Sequence, residues 1–386
     1  MGAPKDEAYQ GFEQGPIRPP SEAQSLLIRV SRNCPWNRCT FCPVYKGAKF
    51  STRPVEHVKR DIDAVHRHLE KIRSLCDASG RPSRDTLQEV LRQVPAGEEE
   101  AFNAAFHWFR AGMRNVFLQD ANALFIRPPH LIEILTHLRA CFPHLRRVTC
   151  YARSQTVAAW KEDDLRAVHA AGLDRVHIGL ESGSEAVLER VHKGSTKAQH
   201  IVAGQKVKAA GMELSEYYMP GLGGQDFWET HARESAEVLN QINPDFIRLR
   251  SLAIPNHVPL FEEWCSGRFK KCPDVLVARE IRLFLESLQG ITSRVKSDHI
   301  LNLFGDLEGR LPEAQADMLT LLDAFLSLPP EEQALYQVGR RMGAFYSLTD
   351  LNTPQRRAMA QSACREYGIT PENVDTIIDE LMKRFI

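Results

Sequence analysis

The chain has 386 residues, 43% of them hydrophobic and 25% charged, enough to bury a sizeable core and to form two or three domains or one large α/β domain with appendages. Lys plus Arg and Asp plus Glu both number 49, so no net field draws the chain to nucleic acid or to an anionic membrane. No stretch approaches the ~18 apolar residues of a membrane span.

The opening MGAPKDEAYQ is polar, lacks the apolar core of a secretory signal, and fails the myristoylation pattern at Asp6, so a cytoplasmic location is expected. There, nine cysteines are not a disulfide framework, and a cluster of them points to metal or catalysis.

Residues 1–24, rich in proline, glycine and charge, read as an irregular lead-in. SLLIRVS (25–31) is a short apolar run that reads as a buried strand. From Arg53 to Cys76, Val55, Val58, Ile62, Val65, Leu69 and Ile72 recur at helical spacing, so a long amphipathic helix is expected. DASGRPSRD breaks it, and a mostly helical insertion is expected over about 77–112. The pattern then becomes regular. Strands are expected at 114–119, 146–152, 174–182, 212–219 and 245–252, with helices at 128–142, 161–172, 196–210 and 227–242 between them. With the first, that makes six strands in strand–helix alternation, the mark of a parallel sheet with right-handed crossovers, either open or closed into a barrel. From about 256 the repeat stops. PEEQALYQVGRRM, TPQRRAMAQSACREYG and TPENVDTIIDELMKRFI read as capped helices, the last two with Thr at the N-cap, so 256–386 is expected to be a helical C-terminal region.

SRNCPWNRCTFCPVYKG (31–47) sets Cys34, Cys39 and Cys42 in a C-x4-C-x2-C pattern among Asn33, Pro35, Asn37 and Arg38, a segment too polar for plain core. Three chemistries use such a triplet. A zinc site needs a second pair, and Cys265 and Cys272, with six residues between them, are poorly spaced for one. A plant-type [2Fe–2S] centre, the mark of an electron carrier or structural cluster protein, has this spacing plus one later cysteine, which Cys76 would supply. A cubane [4Fe–4S] cluster held by three thiolates keeps one iron open, and an open metal position is where a substrate or cosubstrate binds.

At these residues the chain resembles the radical S-adenosylmethionine (radical SAM) superfamily, in which a cysteine triplet follows the first barrel strand, as this one follows SLLIRVS, with an aromatic residue before the last cysteine, as Phe41 stands here. The common spacing in that family is C-x3-C-x2-C, one residue shorter. The resemblance covers about residues 25–255 and implies an α/β fold, a partial (β/α)6 TIM-like barrel with a helical C-terminal extension. It implies that Cys34, Cys39 and Cys42 hold a [4Fe–4S] cluster and that SAM chelates the fourth iron. A flavodoxin or ferredoxin would supply an electron, and the 5′-deoxyadenosyl radical so released would abstract hydrogen from a substrate, a small molecule or peptide.

Further positions follow from the same resemblance. Glu181, in RVHIGLESGSEAVLERVHKGST (175–196), would contact the ribose or the amine of SAM, or else act as a strand-end helix cap with Ser182 and Ser184. CYARS (150–154) ends the third strand, where Arg153 would pair with the SAM carboxylate and Ser154 add a hydrogen bond; a surface arginine and a helix cap are the plainer reading. After the second strand, Gln119, Asp120, Ala121 and Asn122 replace the family's Gly-Gly-Glu-like stretch, and Asp120 and Asn122 would reach the amine or the substrate, or form an Asx-type turn. Gly221, in MPGLGGQ (219–225), would let backbone approach the adenine. Phe41 would lie near that ring.

Outside the barrel, SDHILNLFGDLEG (297–309) brings Asp298, His299 and Asn302 together; if helical, 298 and 302 share a face and would line the open barrel side, or they cap a helix. No D-x-H-x-x-G cobalamin signature is present, and a second cluster at Cys265 and Cys272 is not expected. RRV (146–148) and RFKK (268–271) are local basic spots in a neutral chain, so nucleic acid is not favoured as a substrate. His177 reads as a sheet or core residue.

Overall fold

The computed structural model describes residues 7–76 and 90–382. Residues 1–6 of the expected lead-in and 77–89 of the expected insertion lie outside the described residues. The apolar run after the lead-in forms β1 (Leu26–Arg29), followed by the short β2 (Ser31–Arg32) and β3 (Ser51–Thr52), which pair antiparallel. The amphipathic segment forms α1 (Val55–Ser74) and the end of the insertion forms α2 (Glu99–Arg110). Alternation continues with β4 (Asn115–Gln119), α3 (Pro128–Cys141), β5 (Arg147–Ala152), α4 (Ser154–Ala159), α5 (Glu162–Ala170) and β6 (Arg175–Glu181). Next come α6 (Glu185–Arg190), α7 (Lys197–Ala209), β7 (Glu213–Tyr218), α8 (Gly224–Ile242) and β8 (Phe246–Leu249). The remainder holds α9 (Pro259–Cys265), α10 (Asp274–Ser287), β9 (Arg294–Lys296), β10 (Gly309–Arg310), α11 (Gln315–Leu326), α12 (Pro330–Arg341), α13 (Pro354–Glu366) and α14 (Val374–Met382).

The strand order β1-β4-β5-β6-β7-β8-β9-β10 follows the chain; among the described residues β1–β4, β4–β5, β7–β8 and β8–β9 pair parallel and β9–β10 antiparallel. The mixed α/β class, the mostly parallel sheet and the helical C-terminal region are therefore as expected from the sequence. One strand is additional: β9 pairs parallel with β8, Phe246 opposite Arg294. Its three residues, Arg-Val-Lys, bury only Val295, too short a run to carry an apolar signature. A second correction concerns residues 297–302, which form a turn after β9 and not a helix. A third is the last helix, which starts at Val374, after a turn, and not beside Thr370.

The chain divides into two compact units. The first takes residues 1–37, 47–177 and 206–213, and the second 38–46, 178–205 and 214–386. In the first, α1 buries Val58, Ile62, Val65, Leu69 and Ile72, the face its spacing anticipates. Those five side chains contribute on the order of 10 kcal/mol gross, before chain entropy is subtracted. Trp108 of α2 meets Phe142 edge to face at 5.0 Å. His177 lies fully buried beside Phe117 and Tyr151, a core residue as expected. In the second unit, Tyr218 of β7 stacks on Phe284 of α10 at 4.1 Å, and Phe304, Phe325, Tyr336 and Phe345 form an aromatic cluster under the helical region. No helix among the described residues is long and apolar enough to cross a membrane.

Candidate functional site

In parallel β/α architectures the strands' C-terminal ends carry the chemistry, and the sequence-predicted residues follow those ends. After β4, Asp120 is fully buried, and its Oδ2 accepts from Arg29 Nε (2.9 Å), Arg29 Nη2 (2.7 Å) and the backbone N–H of Asn33 (3.1 Å). Arg29 closes β1, and Asn33, held at φ 67°, immediately precedes Cys34. Asn33 also donates from Nδ2 to the Lys49 carbonyl at 2.6 Å, and the Asn37 N–H donates to Cys34 Sγ at 3.4 Å. The lead-in seals this carboxylate from the other side: a Cβ on Gly15 would fall 2.2 Å from Asp120 Oδ1, so only glycine lets the backbone pass. The carboxylate thus sets the entry of the cysteine segment.

Asn122 is also fully buried and spans two strand ends. Its Nδ2 donates to Thr156 Oγ1 at 2.8 Å, and its Oδ1 accepts the Arg153 N–H at 3.2 Å. This fixes the start of α4, where Ser154 is the buried first residue. The Arg153 guanidinium lies 5.5 Å from the centre of the Trp36 ring, a cation–π contact to the residue two places after Cys34.

The second unit carries the rest of the cysteine segment. Cys39 and Phe41 are buried and Cys42 is half-buried. Thr40 ties them down through its backbone, donating to the Val191 carbonyl (2.9 Å) and accepting from the Leu260 N–H (3.1 Å), while Lys46 Nζ donates to the Cys39 carbonyl at 2.7 Å. At the end of β6, Glu181 adopts φ 60° and its Oε1 pairs with Lys193 Nζ at 3.1 Å. A Cβ on Gly179 would sit 2.3 Å from that oxygen, so the carboxylate curls back into space that glycine leaves. Glu216 of β7 lies in the field of this pair, completely buried. The Leu180 backbone is near it, yet among the described residues neither carboxylate oxygen reaches a partner in hydrogen-bond geometry. Burial holds its carboxyl well above the usual carboxylate range; Lys193 pulls the other way and Glu181 pushes it further up. Glu216 is thus a buried carboxyl in the field of an ion pair, with its proton affinity raised.

One residue after Glu181, Ser182 Oγ bonds His231 Nδ1 at 2.8 Å and accepts the Ser184 N–H at 3.0 Å, so Ser182 organises the turn into α6. Burial lowers His231 to about 4. Gly221 takes φ 87°, and its N–H donates to Glu280 Oε1 at 3.0 Å, an oxygen that also accepts from Tyr218 Oη at 2.7 Å. Burial raises Glu280 to about 8. In the turn after β9, Asp298 pairs with Arg248, and Asn302 is spent on structure: its Oδ1 accepts from Ser251 N and Oγ, and its Nδ2 donates to Leu249 O and Ser297 Oγ. His299 is lowered to about 4, by burial first and the Arg250 charge second.

None of the nine cysteines is disulfide-bonded, so the triplet offers three soft sulfur donors, the ligand type of an iron–sulfur cluster. The alternative fourth ligand, Cys76, is ruled out by α1. Pairing of β3 with β2 holds the start of that 20-residue helix near Arg32 and hence near Cys34. Cys76 lies past its far end, on the order of 30 Å along the axis, and donates to the Ile72 carbonyl at 3.3 Å.

Four residues of this arrangement escape a reading of the sequence: Arg29, Trp36, Lys193 and Glu216. Only Glu216 leaves a signal, a carboxylate inside the strand-like run MELSEYYM.

Over 203 residues the chain is 28% identical to the 4′-phospho-dehydrooxetanocin synthase of Priestia megaterium, covering 49% of this chain and 22% of that one. It is 26% identical over 269 residues to the tRNA uridine(34) acetyltransferase of Methanocaldococcus jannaschii, covering 66% of this chain and 47% of that one. The chain thus spans less than half the length of either relative. Among solved structures it is similar to the radical S-adenosylmethionine methyltransferase TsrM from Kitasatospora setae, at 14% identity and a TM-score of 0.43, covering 88% of this chain and 61% of that one. The family model of the radical SAM superfamily matches residues 28–233, more than half of the sequence, and the chain belongs to that superfamily.

Proposed function

We propose that this chain is a radical SAM enzyme in which Cys34, Cys39 and Cys42 hold a [4Fe–4S] cluster beside bound SAM. The observation that carries the reading is the thiol triplet, free of disulfides, in the segment that follows the first parallel strand. A cluster held there would supply one electron for cleavage of the SAM C5′–S bond to methionine and a 5′-deoxyadenosyl radical, which would take hydrogen from the substrate.

The chain's own residues bind and orient. Glu181, held by Lys193, would accept hydrogen bonds from the ribose or amine of SAM. Glu216, whose proton affinity burial raises, lies in the field of that pair and would stabilise a cationic cosubstrate as its carboxylate. Arg153 would pair with the SAM carboxylate, with the Ser154 hydroxyl in support, while Phe41 and the Gly221 backbone would flank the adenine. Asp120 and Asn122 act as positioning residues, through Asn33 and Arg153. We assign the electron supply to a flavodoxin or ferredoxin, the compartment to the reducing cytoplasm that suits nine cysteines without a disulfide, and the substrate to small molecules or peptides, in keeping with a neutral chain.

The test is 5′-deoxyadenosine formation from SAM and dithionite by anaerobically reconstituted protein, beside Cys34→Ala and Cys76→Ser. Product from wild type and Cys76→Ser but not from Cys34→Ala is expected. A full cluster load that yields no product, with an EPR signal that SAM leaves unchanged, would overturn the reading in favour of an electron carrier.

A further inference from the structure

Away from the strand ends, three side chains on two helices of the first unit converge. His137 and Cys141 stand one turn apart on α3, and Asp63 faces them from α1. His137 Nε2 lies 2.7 Å from Asp63 Oδ1, Cys141 Sγ 3.7 Å from His137 Nε2, and Cys141 Sγ 3.9 Å from Asp63 Oδ1. One turn earlier the same helices are joined by Lys59 and Glu133 at 3.1 Å, so both ladders run in step. The Asp63 and His137 side chains are 45% and 27% exposed, which leaves a path for an ion from solvent.

These separations match a tetrahedral metal site. With Zn–S about 2.3 Å and Zn–N and Zn–O about 2.0–2.2 Å, tetrahedral angles put the donor atoms roughly 3.3–3.6 Å apart. The two sulfur distances already lie close to that span, and only the His137–Asp63 contact must open by about half an ångström. A sulfur, a nitrogen and an oxygen together suit zinc and disfavour magnesium or calcium, which take oxygen alone.

We propose that Asp63, His137 and Cys141 form a three-ligand site for Zn²⁺ that clips α1 to α3, with water in the fourth position. On binding, Cys141 gives its proton to solvent and forms the metal–sulfur bond. His137 gives up its bond to Asp63 and presents the Nε2 lone pair, its ring proton residing on Nδ1. This site is independent of the cysteine triplet and of SAM chemistry.

The experiment is anaerobic equilibrium dialysis of the cluster-loaded protein against micromolar zinc sulfate, with zinc, iron and sulfide measured in wild type, Cys141→Ser and Asp63→Asn. Wild type is expected to retain one zinc more than either variant, at equal iron and sulfide, and to gain thermal stability with zinc that the variants do not. Loss of an outer-shell partner alone weakens metal sites about 10–100-fold, so each variant should bind at least tenfold more weakly. Both substitutions sit at positions that are not buried, and agreement between two unlike changes separates ligation from misfolding. Equal zinc in all three proteins, an adventitious ion only, would overturn the proposal, as would no retained zinc in wild type.

Discussion

Replacing Asp120 by alanine removes the one oxygen on which Arg29 and the Asn33 backbone converge. Asp120 is fully buried and the Arg29 side chain is 15% exposed, so the guanidinium would be left mostly desolvated with its nearest anion gone. Breaking such a buried pair costs about 3–5 kcal/mol. Glu13 lies 3.7 Å from Arg29 and offsets part of the loss, which favours the lower end, about 3 kcal/mol. At roughly 2.1 cal/mol/K per residue over 386 residues, each kcal/mol moves a thermal midpoint by about 1.2 °C, so a fall of about 4 °C is expected. The functional consequence is local. Asn33 loses the bond that orients the residue before Cys34, so cluster content after anaerobic reconstitution should fall more than the midpoint implies. Calorimetry and iron and sulfide analysis on the same preparations provide the assay. A midpoint within 1 °C of wild type, together with full cluster content, would refute the reasoning that Asp120 sets the entry of the cysteine segment.

Gly179→Ala places a methyl group where Glu181 Oε1 now lies, and the obstructed atom is the end of a flexible side chain, so stability should change by less than about 1 kcal/mol. SAM affinity, read by titration or by its effect on the cluster's EPR signal, should drop at least tenfold; unchanged affinity would remove Glu181 from the site. A separate expectation concerns pH. Between the ordinary 4.5 and about 8, folded chains keep a proton at Glu280 that unfolded chains have released, so its contribution to stability is full below that window and is lost as pH rises through it. Glu280→Gln keeps an acceptor for Tyr218 and Gly221 while abolishing the titration, so the midpoint gap should grow in the variant's favour from pH 5 to 8. His231, lowered to about 4 and with its Nε2 3.5 Å from Glu280 Oε1, contributes the opposite slope only up to its ordinary 6.5, so the part of the gap that opens between pH 6.5 and 8 belongs to Glu280. A gap that does not vary with pH would contradict a protonated Glu280.

Much of the scaffold was legible because secondary structure is written in neighbours. The alternation of apolar runs placed β4 through β8 within a few residues, and the 3.6-residue spacing of Val58, Ile62, Val65 and Leu69 identified the buried face of α1. The thiol triplet was equally plain, since its three members lie within nine residues. β9 was not, because three residues with one buried valine carry no period, and its place depends on β8 offering an edge. The roles of the polar residues stand further still from the sequence. Asp120 holds Arg29 across 91 positions and Asn302 serves Ser251 across 51, so what read as ligand candidates are in part the braces of a turn.

The sequence by itself determined strands β1 and β4 to β8, most of the helices and the spacing of the cysteine triplet, because periodicity and spacing act within a few residues along the chain. The tertiary structure alone decided that Glu181 is paired with Lys193 and lies close to Glu216, that Cys76 is out of reach at the far end of α1, and that Asp63 faces His137 and Cys141. Charged and thiol side chains have no period of their own, and their partners are set by the closure of loops and the register of packed helices.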